Sequence, residues 1–213
     1  MAPVRQRLLD RVRAARLYAI TPEAEPGHVE RLVHAWLRGG ASIIQLRQKQ
    51  LPRGRLLELA CALAPACARA SALFIVNDHL DVALLSGASG VHLGPDDLSV
   101  VAARRVAGAD VIVGASASTP GAARQAERDG ADYLGTGPAY QTPLKTDKQV
   151  IGPAGVAAVT AAVAIPVFAI GGIDRSRLSE LRTAGVQRVC AISALGEAPD
   201  PEGEVRTWLQ ELG

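Results

Sequence analysis

The chain has 213 residues, 48% of them apolar and only 3% aromatic, with a formal charge of +2. A chain of this length buries enough apolar surface to fold without disulfides or a structural metal, and its apolar share excludes a disordered polymer. Charges of both signs are scattered without a dense basic stripe, which excludes a nucleic-acid surface, and no apolar run reaches the length of a membrane span.

Residues 1–16 are charged and lack a long apolar region, so they read as a short N-terminal extension and not as a signal peptide; the cytoplasm is the expected compartment. Beyond them, short β-branched runs alternate with amphipathic stretches. Strands are expected over 17–21, 42–47, 73–77, 90–93, 111–114, 133–135, 167–170 and 188–192, with helical segments between them such as 29–37, 55–69 and 175–184. Several units share one punctuation, a helix closing on glycine before the next strand, as in GGAS-IIQLR and DGADYLG. Eight βα units with no change of composition fit an open doubly wound sheet or a closed barrel. Polar residues follow nearly every strand, which favours the barrel: one α/β domain, 1–213, a single (β/α)₈ TIM barrel with its site at the C-terminal strand ends.

Cys61 and Cys67 fall in an apolar helical stretch and Cys190 in an apolar strand, so all three are expected as reduced, buried thiols. His28, His34, His79 and His92 receive no role; a histidine inside an apolar strand, such as His92, is expected to be structural.

Four features carry chemistry. Gln45, Arg47 and Lys49 recur at period two, so a strand would put them on one face as an anion grip, the apolar run stopping where the cations begin. Asn77 and Asp78 close the third strand, and Asp97 follows the fourth. Two carboxylates from neighbouring strand ends suit Mg²⁺, which takes one or two carboxylates plus substrate phosphate oxygens. The same acids, with Asp96, also suit N-caps of the helices that follow, and spacing alone does not choose. Residues 136–153 form a long Gly/Pro-rich segment without helical period, holding Thr142, Lys145, Thr146 and Lys148, which suit phosphate. Gly171–Gly172–Ile173 and Ile192–Ser193 follow the last two strands, where such barrels often present bare backbone N–H groups to phosphate. No GxSxG, HExxH or GxGxxG is present, so neither a nucleophile triad, a zinc site nor a nicotinamide turn is indicated.

In order, LYAIT, IIQLRQK, VNDHLDVALLSGASGVHLGPDDL, VGASAST, ADYLGTGPAYQTPLKTD, PVFAIGGI and CAISAL resemble the thiamine-phosphate synthase (thiamine-phosphate pyrophosphorylase) family from about Leu17 to Leu195. The resemblance implies a transferase that joins a hydroxymethylpyrimidine diphosphate to a thiazole phosphate and releases pyrophosphate. It implies that Gln45, Arg47, Lys49 and Asn77 hold the pyrimidine diphosphate and that Asp78 and Asp97 hold Mg²⁺. Ser116 would face the pyrimidine or diphosphate, Thr142 and neighbouring Leu144 the thiazole phosphate, and Lys145 the diphosphate, while Gly171, Gly172, Ile192 and Ser193 complete the phosphate cup. Arg47, Lys49 and Lys145 are then the catalytic cations. The chain departs from the family at Leu144, where a hydroxyl residue is usual and backbone N–H groups would have to serve, and at Pro95 and Pro22. The partners implied are small phosphorylated molecules, and a homo-oligomer is compatible.

Three alternatives differ in what they require. A thiazole tautomerase of the sister family typically carries a histidine after the fifth strand, where this chain has Ser118, and tends to lose the metal carboxylates. A sugar-phosphate isomerase or Schiff-base aldolase barrel requires, for the aldolase, a desolvated lysine, for which only Lys49 is placed. A non-catalytic phosphate-ligand-binding barrel would bind without turnover.

Overall fold

The computed structural model describes residues 4–142 and 149–213. Its centre is a closed barrel of eight parallel strands in sequential order: β1 (Leu17–Ile20), β2 (Ile43–Leu46), β3 (Leu73–Asn77), β4 (Gly90–Leu93), β5 (Ile112–Ser116), β6 (Tyr133–Thr136), β7 (Val167–Ala169) and β8 (Val189–Ala191). β1 pairs with both β2 and β8, which closes the ring and leaves no free strand edge. The strands lie where the alternating pattern places them. The largest difference is at β5, which runs on through Ala115 and Ser116, paired with Leu134 and Gly135 of β6.

The two faces of each strand are filled differently, as period two requires. One set of side chains points outward against the helices, forming the larger core with Leu17, Ile44, Leu46, Val76, Val91 and Leu134. The other set fills the barrel: Tyr18, Ile20, Ile43, Leu73, Ile75, Ile112, Tyr133, Phe168 and Cys190. Three of the chain's few aromatics meet there edge to face, Tyr18, Tyr133 and Phe168, with ring centroids 5.4–5.8 Å apart.

The outer layer comprises α2 (Pro26–Arg38), α3 (Arg53–Arg69), α4 (Leu80–Ser86), α5 (Val100–Ala107), α6 (Pro120–Arg128), α7 (Gly152–Thr160), α8 (Leu178–Thr183), the single turn α9 (Ser193–Gly196) and α10 (Pro201–Leu212). The helix expected over 175–184 is split, opening with a 3₁₀ turn over Arg175–Arg177 before α8. The non-helical segment expected to 153 ends slightly earlier, since α7 starts at Gly152. Of the three cysteines, Cys67 and Cys190 are buried as expected, but Cys61 is exposed: it lies on the solvent side of α3, whose high apolar content hides which face turns outward.

Preceding β1, α1 (Val4–Ala14) closes the bottom of the barrel, with Val12 fully buried against the interior cluster. Its anchor is Asp132, at the entry to β6. Asp132 is 4% exposed, is paired with Arg5 at 2.6 Å and with Arg104 of α5, and accepts the Val113 N–H at 2.8 Å. Removing one partner of a buried ion pair strands the other. Asp132→Ala is therefore expected to cost about 3–5 kcal/mol of unfolding free energy, read by urea denaturation; a loss below about 1 kcal/mol, the value of a surface pair, would count against the anchor.

Candidate active site at the barrel mouth

Among the described residues, the polar side chains singled out above gather at the C-terminal strand ends in two adjoining compartments. The first is a charge cluster at the ends of β2, β3 and β4. β2 stops at Leu46, so only Gln45 is a strand residue; Arg47 and Lys49 stand on the loop beyond. That loop is built tightly. Thr21 Oγ1 accepts from the Arg47 N–H at 2.9 Å, and the Glu23 carboxylate accepts from the N–H groups of Lys49 and Gln50 at 2.9 and 3.0 Å. The buried Gln48 amide ties it to the loop after β1 through Pro22 O and the Ala24 N–H.

Lys49 Nζ thereby lies 3.0 Å from Asp78 Oδ2. Asp78 has φ +63°, a left-handed conformation uncommon for a side-chain-bearing residue and found where a site demands it. Its carboxyl also neighbours that of Asp97, whose Oδ2 accepts the Gly94 N–H at 2.7 Å. The two acids are therefore driven apart electrostatically. Burial works to raise Asp78, but the Lys49 ammonium, with a smaller contribution from the neighbouring Asp97, outweighs it and holds its carboxyl below the ordinary carboxylate range. Burial and then the neighbouring Asp78 push Asp97 up. Two carboxyl groups this close repel each other when both are ionised, and a pair of hard oxygen donors so placed suits an Mg²⁺ completed by phosphate oxygens. Among the described residues no group of three or more His, Cys, Asp or Glu side chains could hold a metal ion.

The second compartment is a cavity of about 820 Å³ over the ends of β5 to β8. Ser116, Thr142, Gly171, Gly172, Ile192 and Ser193 all line it. Gly171 and Gly172 have φ of +100° and +61°, conformations that favour glycine. A Cβ at Gly171 would sit 2.6 Å from Pro138 Cα, so the chain after β7 passes directly against the chain after β6. Arg177, not anticipated from the sequence, also lines the cavity and stacks over the Tyr140 ring at 4.2 Å. Gln45, Arg47, Lys49, Asn77, Asp78 and Asp97 do not line it; Pro95, between Gly94 and Asp97, marks where the two compartments adjoin. Leu144, Lys145, Thr146 and Lys148 lie outside the described residues.

Sequence reasoning passed over three residues that touch this site from below. His92 Nε2 is 3.0 Å from Ser116 Oγ, and its Nδ1 is 3.2 Å from the Tyr133 hydroxyl. Tyr133 in turn meets the Tyr18 hydroxyl at 2.8 Å, and Tyr18 accepts from Gln45 Nε2 at 2.8 Å. Their signal was parity. His92, Tyr133 and Tyr18 share the inward face with Gln45 and Ser116.

A closed eight-stranded barrel with polar groups from many strands collected at one mouth defines the (β/α)₈ class, which holds its ligands at that end. Within it, a family model described as thiamine monophosphate synthase matches residues 17–195, and the chain belongs to that family. It is 43% identical over 204 residues to a thiamine-phosphate synthase of Gloeobacter violaceus, covering 96% of this chain and 59% of that protein. It is 46% identical over 178 residues to one of Haloquadratum walsbyi, covering 82% of this chain and 80% of that protein. A solved thiamine phosphate pyrophosphorylase from Pyrococcus furiosus superposes with a TM-score of 0.85 at 35% identity, covering 96% of this chain and 97% of that one. The chain spans about half the length of several curated relatives it matches, between 40% and 60%. Among the described residues no helix is long and apolar enough to cross a membrane.

Proposed function

We propose that this protein condenses 4-amino-2-methyl-5-(diphosphooxymethyl)pyrimidine with 4-methyl-5-(2-phosphooxyethyl)thiazole, forming thiamine phosphate and pyrophosphate. The observation that carries the reading is the adjacency at one mouth of a cation and carboxylate cluster, Lys49–Asp78–Asp97, with a glycine-lined cavity of about 820 Å³. One compartment suits a diphosphate and the other a second, phosphate-bearing molecule. The carboxylate pair and Ser118 in the loop after β5 favour this reaction over the tautomerase.

The reaction breaks one C–O bond and forms one C–N bond. The aminopyrimidine stabilises positive charge on its exocyclic methylene carbon, so the diphosphate leaves with the bonding pair and the thiazole nitrogen supplies a new pair to that carbon. No nucleophilic side chain is required. The protein must stabilise charge on the leaving group and hold the two reactants in line. Arg47 and Lys49 face the diphosphate, joined by Lys145, whereas Gln45, Asn77 and Ser116 orient the pyrimidine diphosphate. Asp78 and Asp97 would hold Mg²⁺, which when bound supplies further positive charge to the diphosphate oxygens. Thr142, the backbone at Leu144 and the cup of Gly171, Gly172, Ile192 and Ser193 hold the thiazole phosphate.

The test is a turnover assay with both substrates and Mg²⁺, following pyrophosphate and thiamine phosphate together, with an EDTA control. Equal, metal-dependent formation of both products is expected. No product from folded protein would reject the reading; the thiazole tautomerisation assay would then decide the sister activity.

A further inference from the structure

Five polar side chains from five strands form one unbroken hydrogen-bonded file across the barrel interior, below the cavity. It runs from Gln45 of β2 through Tyr18 of β1, Tyr133 of β6 and His92 of β4 to Ser116 of β5, with steps of 2.8, 2.8, 3.2 and 3.0 Å. Two strand glycines make room for it. A Cβ at Gly114 would lie 2.5 Å from the Tyr133 hydroxyl, and one at Gly135 would lie 3.2 Å from His92 Cε1. Inward-facing positions of a small barrel are normally filled by branched apolar side chains. Here two of them are left bare in favour of polar neighbours.

The file can run in one direction throughout, starting from the Gln45 amide. Gln45 Nε2 donates to the Tyr18 oxygen; either hydroxyl can donate across the step to Tyr133, and in the direction that Gln45 starts the Tyr18 hydrogen goes to Tyr133. Tyr133 then donates to His92 Nδ1. A neutral imidazole that accepts at Nδ1 carries its proton on Nε2, and this proton is donated to Ser116 Oγ. Ser116 is left with one hydrogen to give into the cavity. Both tyrosines are fully buried, and burial pushes their hydroxyls well above the ordinary range, so the file holds its protons. In a low-dielectric interior each bond of such a chain polarises the next.

We propose that Tyr18, Tyr133 and His92 are positioning residues that lock His92 in its Nε2–H tautomer and so present the Ser116 hydroxyl as a donor to an acceptor atom of the bound pyrimidine diphosphate. The inference rests on the function proposed above for the ligand that Ser116 meets, but not for the state of the imidazole. Fixing both ends of the file, Gln45 and Ser116, sets the hydrogen-bonding pattern of the mouth before any ligand arrives, which is how a site avoids reorganisation during reaction.

The experiment has an activity-free arm and a kinetic arm. Two-bond ¹H–¹⁵N correlation spectra of histidine-labelled protein report the tautomer, with His92 identified by the loss of its signals in His92→Gln. The Nε2–H form is expected in the wild type, and Tyr133→Phe, which removes the donor to Nδ1, should convert it to a mixture with Nδ1–H. In turnover, Tyr133→Phe should lower kcat/KM about tenfold, the effect of one misdirected hydrogen bond. His92→Gln, whose amide can donate where Nε2–H does, should exceed His92→Phe by about the same factor. An Nδ1–H tautomer in the wild type, an unchanged tautomer in Tyr133→Phe, or equal rates for the two His92 variants would overturn the inference. Absence of thiamine phosphate formation by the wild type would instead remove the functional reading, and the spectra alone would then decide the polarity of the file.

Discussion

Asp97→Asn is expected to lower Mg²⁺-dependent turnover on the order of 10²–10³-fold while raising the thermal midpoint of the metal-free protein at pH 7. The two effects have one cause. Asp97 is held beside Asp78 and its carboxyl is pushed up, first by burial and then by that neighbour. A carboxylate whose folded value lies above its unfolded value destabilises the fold wherever it is ionised. The penalty is present above the folded value and vanishes below the ordinary carboxylate value. The asparagine removes it and can still accept from the Gly94 N–H, so its advantage should be full at pH 7, fade as the pH falls through the raised value and be gone below about 4. Asp78→Asn should do the reverse. Asp78 is held below its ordinary value chiefly by Lys49, so it stabilises above the ordinary value, and that contribution is lost as the pH falls through its lowered value. Its asparagine variant should lose stability at pH 7 as well as turnover; asparagine tolerates the left-handed backbone there, so strain does not confound the comparison. Calorimetry in EDTA from pH 3 to 7, beside the turnover assay, checks both variants. Wild-type turnover in either would break the metal assignment, and a lowered midpoint for Asp97→Asn would break the argument from repulsion.

Such functional cost was partly legible in the sequence. The end of the apolar run at Gln45 to Lys49 and the acids after the third and fourth strands are local signals, and the structure brings Lys49, Asp78 and Asp97 together. The barrel itself was legible because eight strands each carry an inward and an outward set. What the sequence hid were relations across strands. Gly114 and Gly135 read as strand ends because glycine weakens strands. In the barrel they are interior residues whose missing side chains are replaced by Tyr133 and His92, so β5 and β6 continue past them. Which inward residues meet depends on the stagger of the closed sheet, which no single strand encodes. Likewise, Arg5 and Asp132 are 127 residues apart, and nothing near Arg5 announces that the charged start of the chain is a helix anchored under the barrel.

The phosphate cup gives the second large expected effect, with Gly172→Ala. Gly172 has φ +61°, where a side chain costs about 1–2 kcal/mol. Strain is the smaller part. A Cβ there would collide with the carbonyl oxygen of Gln141 and stand 3.0 Å from Tyr140 Cβ. These are backbone and near-backbone atoms of the segment after β6, which cannot rotate aside as a flexible side-chain tip would. Either that segment or the one after β7 must move, and the cavity wall carrying Gln141, Thr142, Gly171 and Gly172 opens. Binding that depends on bare backbone N–H groups falls steeply with such displacement, so KM for the thiazole phosphate should rise at least about tenfold, one lost hydrogen bond to a charged group. KM for the pyrimidine diphosphate should hold near its wild-type value, because the Lys49–Asp78–Asp97 cluster stands on the loops after β2, β3 and β4 and shares none of the displaced backbone. Steady-state kinetics with each substrate varied in turn separates these outcomes. Equal increases for both substrates would mean general loosening of the barrel, and an unchanged KM for the thiazole phosphate would place that phosphate away from Gly172.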